Sequence, residues 1–234
     1  MYNLKFFILT LITLLCSTTA SSSTKERQCD DPEIERLVLI TGCGRSGTTF
    51  ISRALTGAGL DVRHEYLGKD GSASWYMNVE NANAPYGCSS TVGLRFTHIF
   101  HQVRHPLKTI ASINYSSHAS SFAYVAAYVP EIDLIHDSRL VQTAKYWYYW
   151  NLLAEAKAEW RYRIEDIDLV WDEIGQRLGV YLDPSVLSQL SRKTNTRGDT
   201  GKLTWKQLKA NIPADLFADI QSMALRYGYS IVDE

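Results

Sequence analysis

Short apolar runs alternate with stretches of helical spacing along most of the chain. Residues 37–41 form a largely apolar run that ends at Gly42. Such a run is typical of a strand buried on both faces of a parallel sheet. Helical spacing follows over residues 48–58. This part of the chain is therefore predicted to be a strand, a glycine-rich loop and a helix.

The alternation continues toward the C-terminus. Residues 64–93, rich in Gly, Ser and Asn, are predicted to be irregular, and residues 116–140 fit neither pattern. Strands that alternate with helices predict an α/β fold of three layers, with a central, mainly parallel sheet flanked by helices. We predict further strands at 60–62, 96–103 and 161–164, and helices at 106–112, 141–159, 167–178 and most of 204–227, with a new helix from Pro213.

The N-terminus differs from the rest of the chain. Lys5 precedes the apolar run 6–16, and small or polar residues follow over 17–23. This order predicts a secretory signal peptide over residues 1–23, or a short membrane anchor if it is not cleaved. The run is shorter than the roughly 20 residues that a membrane-spanning helix needs. Residues 24–36 are predicted to be a linker, and residues 37–234 a single folded domain.

Composition excludes two classes of partner. The net charge of the 234 residues is -1, so no overall basic field favours nucleic acid. No Cys-x-x-Cys pair or His/Cys cluster has the spacing of a zinc site, and no metal is predicted. Cys16 lies in the predicted signal, which leaves Cys29, Cys43 and Cys88. An oxidising compartment would allow one pair among these three to form a disulfide and would leave one thiol over, and the sequence leaves open which pair.

The loop at residues 42–49 has the features of a phosphate site. Gly42 and Gly47 have the spacing of a P-loop, in which backbone N–H groups and a helix N-terminus hold the anion. The predicted fold is therefore P-loop-like. Thr48 stands where a P-loop has its lysine, and Arg45 lies inside the loop. Without that lysine a triphosphate site is poor at phosphoryl transfer, whereas a shorter phosphate chain does not require it.

A second candidate anchor lies downstream. Arg104 follows the predicted strand 96–103, and Ser112 comes eight residues later on the next helix. A phosphate monoester is well held by a guanidinium and a hydroxyl that converge from two elements.

Together these segments resemble the sulfotransferases that use 3′-phosphoadenosine-5′-phosphosulfate (PAPS). The loop resembles their 5′-phosphosulfate loop, and Arg104 with Ser112 resembles their 3′-phosphate motif. Golgi-type members, including tyrosylprotein sulfotransferases, often have Arg at the position of Arg45, so the secretory pathway, as Golgi lumen or secretion, is the expected location. The resemblance implies PAPS as co-substrate, bound by Gly44, Arg45, Ser46, Gly47, Thr48, Thr49, Arg104 and Ser112.

The same resemblance implies sulfo transfer to a hydroxyl or amine of a carbohydrate or a peptidyl tyrosine. Such a reaction needs positive charge at the leaving group and a base for the acceptor's proton. Arg45 suits the first role. Glu65 is the expected base and His64 the alternative, since both follow the predicted strand 60–62. Residues 68–88 are expected to form the edge of the acceptor-binding site, the acceptor lip, because loops usually carry specificity.

Two other functions remain open from the sequence. A P-loop nucleotide kinase or NTPase fits the glycine spacing, and the irregular middle of the chain also fits a relative that binds nucleotide without turnover. Weaker resemblances to sulfotransferases lie at 163–167 and 203–205, with basic residues at Arg192, Lys193, Arg197 and Lys202. The aromatic run 146–150 is expected to pack in the core.

Overall fold

The computed structural model of the protein describes residues 35–85, 90–191 and 202–233. The predicted signal and most of the predicted linker lie outside these residues, as do Cys29, Cys88, Arg192, Lys193 and Arg197. Cys43 is buried and does not take part in a disulfide among the described residues.

A parallel sheet lies at the centre of the described chain. Each neighbouring pair of strands is parallel, and the strand order is β2-β3-β1-β4-β5. The described strands are β1 (Arg36–Thr41), β2 (Val62–His64), β3 (Gly71–Ala73), β4 (Phe96–Val103) and β5 (Trp160–Arg163).

Helices follow most of the strands. Two 3₁₀ turns, Tyr76–Asn78 and Ile164–Asp166, interrupt the connections. The described helices are α1 (Thr48–Gly57), α2 (Pro106–Ser116), α3 (Ala119–Ala126), α4 (Arg139–Lys157), α5 (Ile167–Leu178), α6 (Ser185–Gln189), α7 (Trp205–Asn211) and α8 (Ala214–Arg226). Within the described residues, no helix combines the length and apolar character that crossing a membrane requires.

Helices cover both faces of the sheet. Successive side chains of a strand point to opposite faces. Val38 and Ile40 of β1 accordingly pack in one core with α1, α5 and α6, whereas Leu39 packs in the other with α2, α3, α4, α7 and α8. The three-layer α/β fold with a parallel central sheet is therefore confirmed. The buried β1 run also explains why a continuous apolar sequence forms this strand.

The segment predicted to be irregular contains β3 and a 3₁₀ turn, so the prediction was wrong for those residues. β3 has the sequence Gly-Ser-Ala, which carries little strand propensity, and its position is determined by pairing with β1 and β2 on either side. Gly71 is required there because a Cβ would lie 1.9 Å from the Val38 carbonyl oxygen. The preceding strand also lies later than predicted, at Val62–His64 rather than 60–62.

The aromatic run on α4 is a core element, as predicted. Tyr146, Trp147 and Trp150 are each at most 2% exposed. The indole N–H of Trp150 donates to the carbonyl oxygen of Trp75 at 3.0 Å. The α4 helix therefore holds the segment after β3 in place, because this bond is made to the backbone. Residues 116–140, which fit no pattern, contain α3 and the beginning of α4.

Glu165 ties the C-terminus to the sheet edge. Its carboxylate accepts from the backbone N–H of His105 at 2.9 Å and from the Tyr229 hydroxyl at 2.9 Å. Asp233 accepts from the backbone N–H groups of Trp205 and Lys206 at the start of α7. The segments at 163–167 and 203–205 are thereby joined through the C-terminal residues.

We expect Gly71→Ala to destabilise the fold by about 3 kcal/mol, because the new methyl group overlaps backbone that cannot move without breaking β1–β3 pairing. Gly59→Ala is the control. It also has a positive φ, of 98°, but a Cβ there meets open space, so its cost should be about 1 kcal/mol. Urea unfolding at equilibrium measures both, and equal losses would contradict the role given to Gly71.

Candidate functional site

The site lies at the carboxyl ends of β1 and β4. These strands are neighbours in the sheet, yet α1 packs on one face and α2 on the other. Connections that leave adjacent strands toward opposite faces open a crevice between them, where ligands of parallel α/β sheets bind. The loop at residues 42–47 and the residues after β4 border this crevice.

The loop folds tightly over the end of β4. A Cβ at Gly42 would lie 2.3 Å from the Gln102 carbonyl oxygen, so only glycine permits this approach. Arg45 (φ 69°) and Gly47 (φ 98°) both have left-handed backbone, and the N–H of Ser46 donates to the Cys43 carbonyl oxygen at 3.2 Å. Alternation of backbone hand turns N–H groups toward one side and forms an anion-binding concavity.

Two buried polar side chains support the loop from below. The amide of Gln102 donates to the Ser46 carbonyl oxygen at 2.9 Å, and the Tyr162 hydroxyl donates to Gln102 Oε1 at 2.7 Å. Gln102 is fully buried, and a buried amide is stable only when its groups are paired. The sequence interpretation missed both residues. The available signal was a polar glutamine next to the last residue of a predicted strand.

The structure brings Arg45, Ser112 and Arg104 together. Arg45 Nε donates to Ser112 Oγ at 3.0 Å. Arg104 Nη1 donates to the Arg45 carbonyl oxygen at 3.0 Å. The Arg45 side chain of the loop therefore contacts Ser112 of α2, and the Arg104 side chain, from the end of β4, contacts the loop backbone at Arg45.

A cleft of about 300 Å³ opens between the loop and the α2–α3 junction. One side is formed by the loop and the start of α1, and the other by serines and aromatic rings. Its lining comprises Gly44, Arg45, Gly47, Thr48, Thr49, Phe50, His64, Glu65, Trp75, Arg104, Ser116, Ser117, His118, Ser121 and Tyr146.

The loop fits the phosphate groups that its sequence resemblance implies. Ser46 Oγ is buried with no hydrogen-bond partner among the described residues, which suits a hydroxyl that pairs with a ligand. A Cβ at Gly44 would lie 2.6 Å from the Tyr146 hydroxyl, so a larger residue would displace the aromatic wall. Within residues 35–85, 90–191 and 202–233, no group of three or more His, Cys, Asp or Glu side chains is arranged to hold a metal ion.

No family model and no curated protein matches the sequence. The chain is similar to mouse sulfotransferase SULT7A1 in its crystal structure complexed with PAP, at 12% sequence identity and a TM-score of 0.36, over 72% of this chain and 70% of that chain.

Glu65 has an unusual backbone conformation at the edge of this cleft. Its φ of 59° lies in the left-handed region, which is uncommon outside glycine and is concentrated at functional sites. The Ser74 hydroxyl donates to Glu65 Oε2 at 2.9 Å, and the Tyr76 hydroxyl donates to the Glu65 carbonyl oxygen at 3.1 Å. Glu65 Oε1 has no hydrogen-bond partner among the described residues.

His64 lies beside Glu65 and faces the start of α1. Its Nε2 is 3.1 Å from both Thr48 Oγ1 and Thr49 Oγ1. Burial lowers the pKa of His64 to about 4, with smaller contributions from Arg53 and Arg45. The ring is therefore neutral at pH 7. Its Nε2 atom is hydrogen-bonded to the hydroxyl groups of Thr48 and Thr49.

Burial raises the pKa of Glu65 to about 8, against the opposing effects of the Ser74 hydroxyl and the Trp75 backbone N–H. Most Glu65 side chains are thus protonated at pH 7. His64 Nε2 approaches Glu65 Oε1 at 3.3 Å. Because both groups are neutral at this pH, we interpret their approach as a contact of neutral groups rather than an ion pair.

Several expected residues lie elsewhere. Arg163 pairs with Asp166, and Glu165 serves the C-terminal contacts, so the segment 163–166 does not line the cleft. Lys202 is exposed. Of the expected acceptor lip, Trp75 lines the cleft, together with residues that the sequence interpretation did not single out: Phe50, Ser116, Ser117, His118 and Ser121.

Glu65 should make the protein less stable as pH rises. The folded state holds a proton with a pKa of about 8, whereas the unfolded chain loses it near its ordinary pKa, so the unfolding free energy falls with rising pH between these values. From pH 6.5 to 9 this contribution amounts to about 2 kcal/mol. Glu65→Gln should remove it.

Urea unfolding of both proteins at pH 6.5 and 9 measures the difference. This range avoids the ionisation of His64, whose lowered pKa reduces stability only as pH falls from about 6.5 toward 4. Parallel pH dependence of the two proteins would contradict a raised pKa for Glu65.

Proposed function

We propose that the protein is a sulfotransferase that moves a sulfo group from PAPS to a hydroxyl or amine acceptor. The observation that carries the proposal is the cluster of Arg45, Ser112 and Arg104 beside the glycine loop. A loop that binds one phosphate, next to guanidinium and hydroxyl groups suited to another, matches a nucleotide with phosphates at two separate positions.

The loop itself is less suited to a triphosphate. Thr48 replaces the usual lysine, and its hydroxyl is 3.1 Å from His64 Nε2. The cation within the loop, Arg45, contacts Ser112 instead. Positive charge is therefore placed beside the second phosphate position, which supports a 3′-phosphorylated nucleotide over ATP.

The proposed reaction is an in-line displacement at sulfur. The acceptor oxygen or nitrogen forms a bond to sulfur, the bond from sulfur to the phosphate oxygen breaks, and PAP leaves. Backbone N–H groups of the loop hold the leaving phosphate. Arg45, which connects the loop to Ser112, supplies positive charge to the leaving phosphate and sulfonyl oxygens as well as to the 3′-phosphate position, and remains protonated throughout. Arg104 and Ser112 hold the 3′-phosphate.

Glu65 is the base that we propose to take the acceptor's proton. Its Oε1 is buried without a hydrogen-bond partner among the described residues, and a pKa of about 8 makes its carboxylate a strong base that still ionises near neutral pH. His64 is the weaker candidate because Nε2 is engaged by Thr48 and Thr49 and because its pKa is about 4. The proposed role of His64 is to hold the start of α1 against β2.

The far side of the cleft supports an acceptor that carries a ring. Trp75 and Tyr146 contribute aromatic surface, and Ser117, His118 and Ser121 contribute hydrogen-bonding groups. Aromatic rings bind the apolar face of a sugar or phenol. We propose a carbohydrate or a peptidyl tyrosine as acceptor, and the secretory pathway, as Golgi lumen or secretion, as the location.

PAP should stabilise the protein against heat. At about 100 times its dissociation constant a ligand adds roughly 2.7 kcal/mol to the unfolding free energy. Thermal unfolding is measured with PAP and separately with Mg-ATP, and PAP alone should raise the melting temperature. A response to Mg-ATP alone would replace the proposal with a kinase or NTPase. PAP binding without sulfo transfer to a panel of sugars and tyrosine peptides would indicate a non-catalytic relative.

Arg104→Ala should weaken the binding of PAP far more than the binding of AMP, because only PAP carries the 3′-phosphate. We expect a loss of about 10- to 100-fold for PAP, the range for a charge-assisted hydrogen bond. Calorimetric titration measures both ligands. Lys108→Ala is the control, since it removes an equal charge from an exposed position on α2. Equal losses for PAP and AMP would contradict the 3′-phosphate role.

A further inference from the structure

We propose that Ser74 is a positioning residue for Glu65: its hydroxyl holds Oε2 and thereby fixes the orientation of the carboxyl group. This inference rests on the proposed function, in which Glu65 is the base. It assigns a task to the segment after β3, which sequence patterns place in an irregular region.

The contacts of Ser74 connect the carboxyl group to the sheet. The backbone N–H of Ser74 donates to the Ile40 carbonyl oxygen at 2.9 Å, which extends the pairing beyond β3 toward the end of β1. Its hydroxyl donates to Glu65 Oε2 at 2.9 Å. Ser74 is fully buried. Glu65 Oε2 is therefore held relative to β1, the strand that leads into the phosphate loop.

The backbone of Glu65 is held from the same segment. Its N–H donates to the Ala73 carbonyl oxygen at 3.2 Å, and its carbonyl oxygen accepts from the Tyr76 hydroxyl at 3.1 Å. These bonds stabilise the positive φ, which otherwise costs roughly 1 kcal/mol or more for a residue with a side chain. With the backbone and Oε2 both fixed, the carboxyl group has little freedom to rotate.

The two carboxyl oxygens of Glu65 have different surroundings. Oε2 accepts from Ser74, whereas Oε1 is buried without a hydrogen-bond partner among the described residues and lies 3.3 Å from His64 Nε2; Glu65 lines the cleft. A hydroxyl donor also favours the ionised carboxyl group. The Ser74 bond therefore both orients the base and opposes the effect of burial on its pKa.

Other ionisable groups lie near Glu65, and their effects on the measurements must be distinguished from that of Glu65. His64 approaches from β2, Tyr76 from the 3₁₀ turn and Tyr124 from α3, while Arg45, Arg104, His118 and Tyr146 line the same cleft. Burial lowers the pKa of His64 to about 4, and burial raises that of Tyr124. His64 and Tyr124 thus titrate far from Glu65, which leaves His118 as the group to test separately.

The test measures the pKa of Glu65 directly, in the purified protein labelled with ¹³C at glutamate carboxyl carbons. The resonance that disappears in Glu65→Gln identifies the residue. In Ser74→Ala, loss of the donor should raise the midpoint by about one pH unit. Ser72→Ala is the matched control: Ser72 is also a fully buried serine, but its hydroxyl donates to the Arg63 carbonyl oxygen. Its midpoint should equal that of the unaltered protein.

The pH dependence of sulfo transfer is the second readout. In Ser74→Ala, kcat/KM at pH 7 should fall about tenfold, and its acidic limb should move to higher pH with the carboxyl midpoint. A loss of packing alone would lower the rate by the same factor at every pH. Unmoved midpoints, or equal shifts in Ser74→Ala and Ser72→Ala, would overturn the proposal. So would an acidic limb that moves only in His118→Asn.

The two readouts separate this inference from the proposed function. If the carboxyl midpoint shifts in Ser74→Ala but the unaltered protein transfers no sulfo group to any acceptor, the sulfotransferase proposal fails and Ser74 still controls Glu65. If PAP binding and transfer are observed while the midpoint stays fixed, only the role of Ser74 is overturned.

Discussion

The structure depends on the contact between the glycine loop and the end of β4. Gly42 lies so close to the Gln102 carbonyl oxygen that no side chain fits, and the Gln102 amide holds the Ser46 carbonyl oxygen from below. Because the loop is pressed onto β4, the residues just beyond that strand must lie beside it. Arg104 and Ser112 reach Arg45 for this reason. The two proposed phosphate positions are thus consequences of one backbone contact.

Much of the phosphate-binding half of the candidate site, formed by the glycine loop, Arg104 and Ser112, could be predicted from sequence because its determinants are local. A buried strand, a glycine spacing and a helix follow one another within residues 37–58, and Arg104 and Ser112 are separated by about two helical turns. Each feature is encoded in neighbouring residues. The support beneath the loop was missed because Gln102 and Tyr162 meet only after β4 and β5 pair.

The other half of the site, formed by Glu65 and the segment after β3, depends on long-range strand pairing. The three residues of β3 have no apolar run or alternation, and they form a strand only because β1 and β2 lie on either side. The positive φ of Glu65 likewise follows from the short connection 65–70, which must return the chain to pair in parallel beside β2. Sequence pattern therefore placed Glu65 near the site but could not give its conformation or the partners of its carboxyl group.

The two halves are joined through β1. The loop continues directly from this strand, and the Ser74 backbone pairs with Ile40 near its end. Backbone hydrogen bonds thus set the separation between the phosphate loop and Glu65, so side chains on the acceptor side do not determine it. Trp75 and the α2–α3 junction border the same cleft but do not supply the backbone pairing between Ser74 and β1. Variation at those residues can change which acceptor binds while the base and the phosphate loop keep their relative positions, which is the arrangement expected when specificity and chemistry reside on different elements.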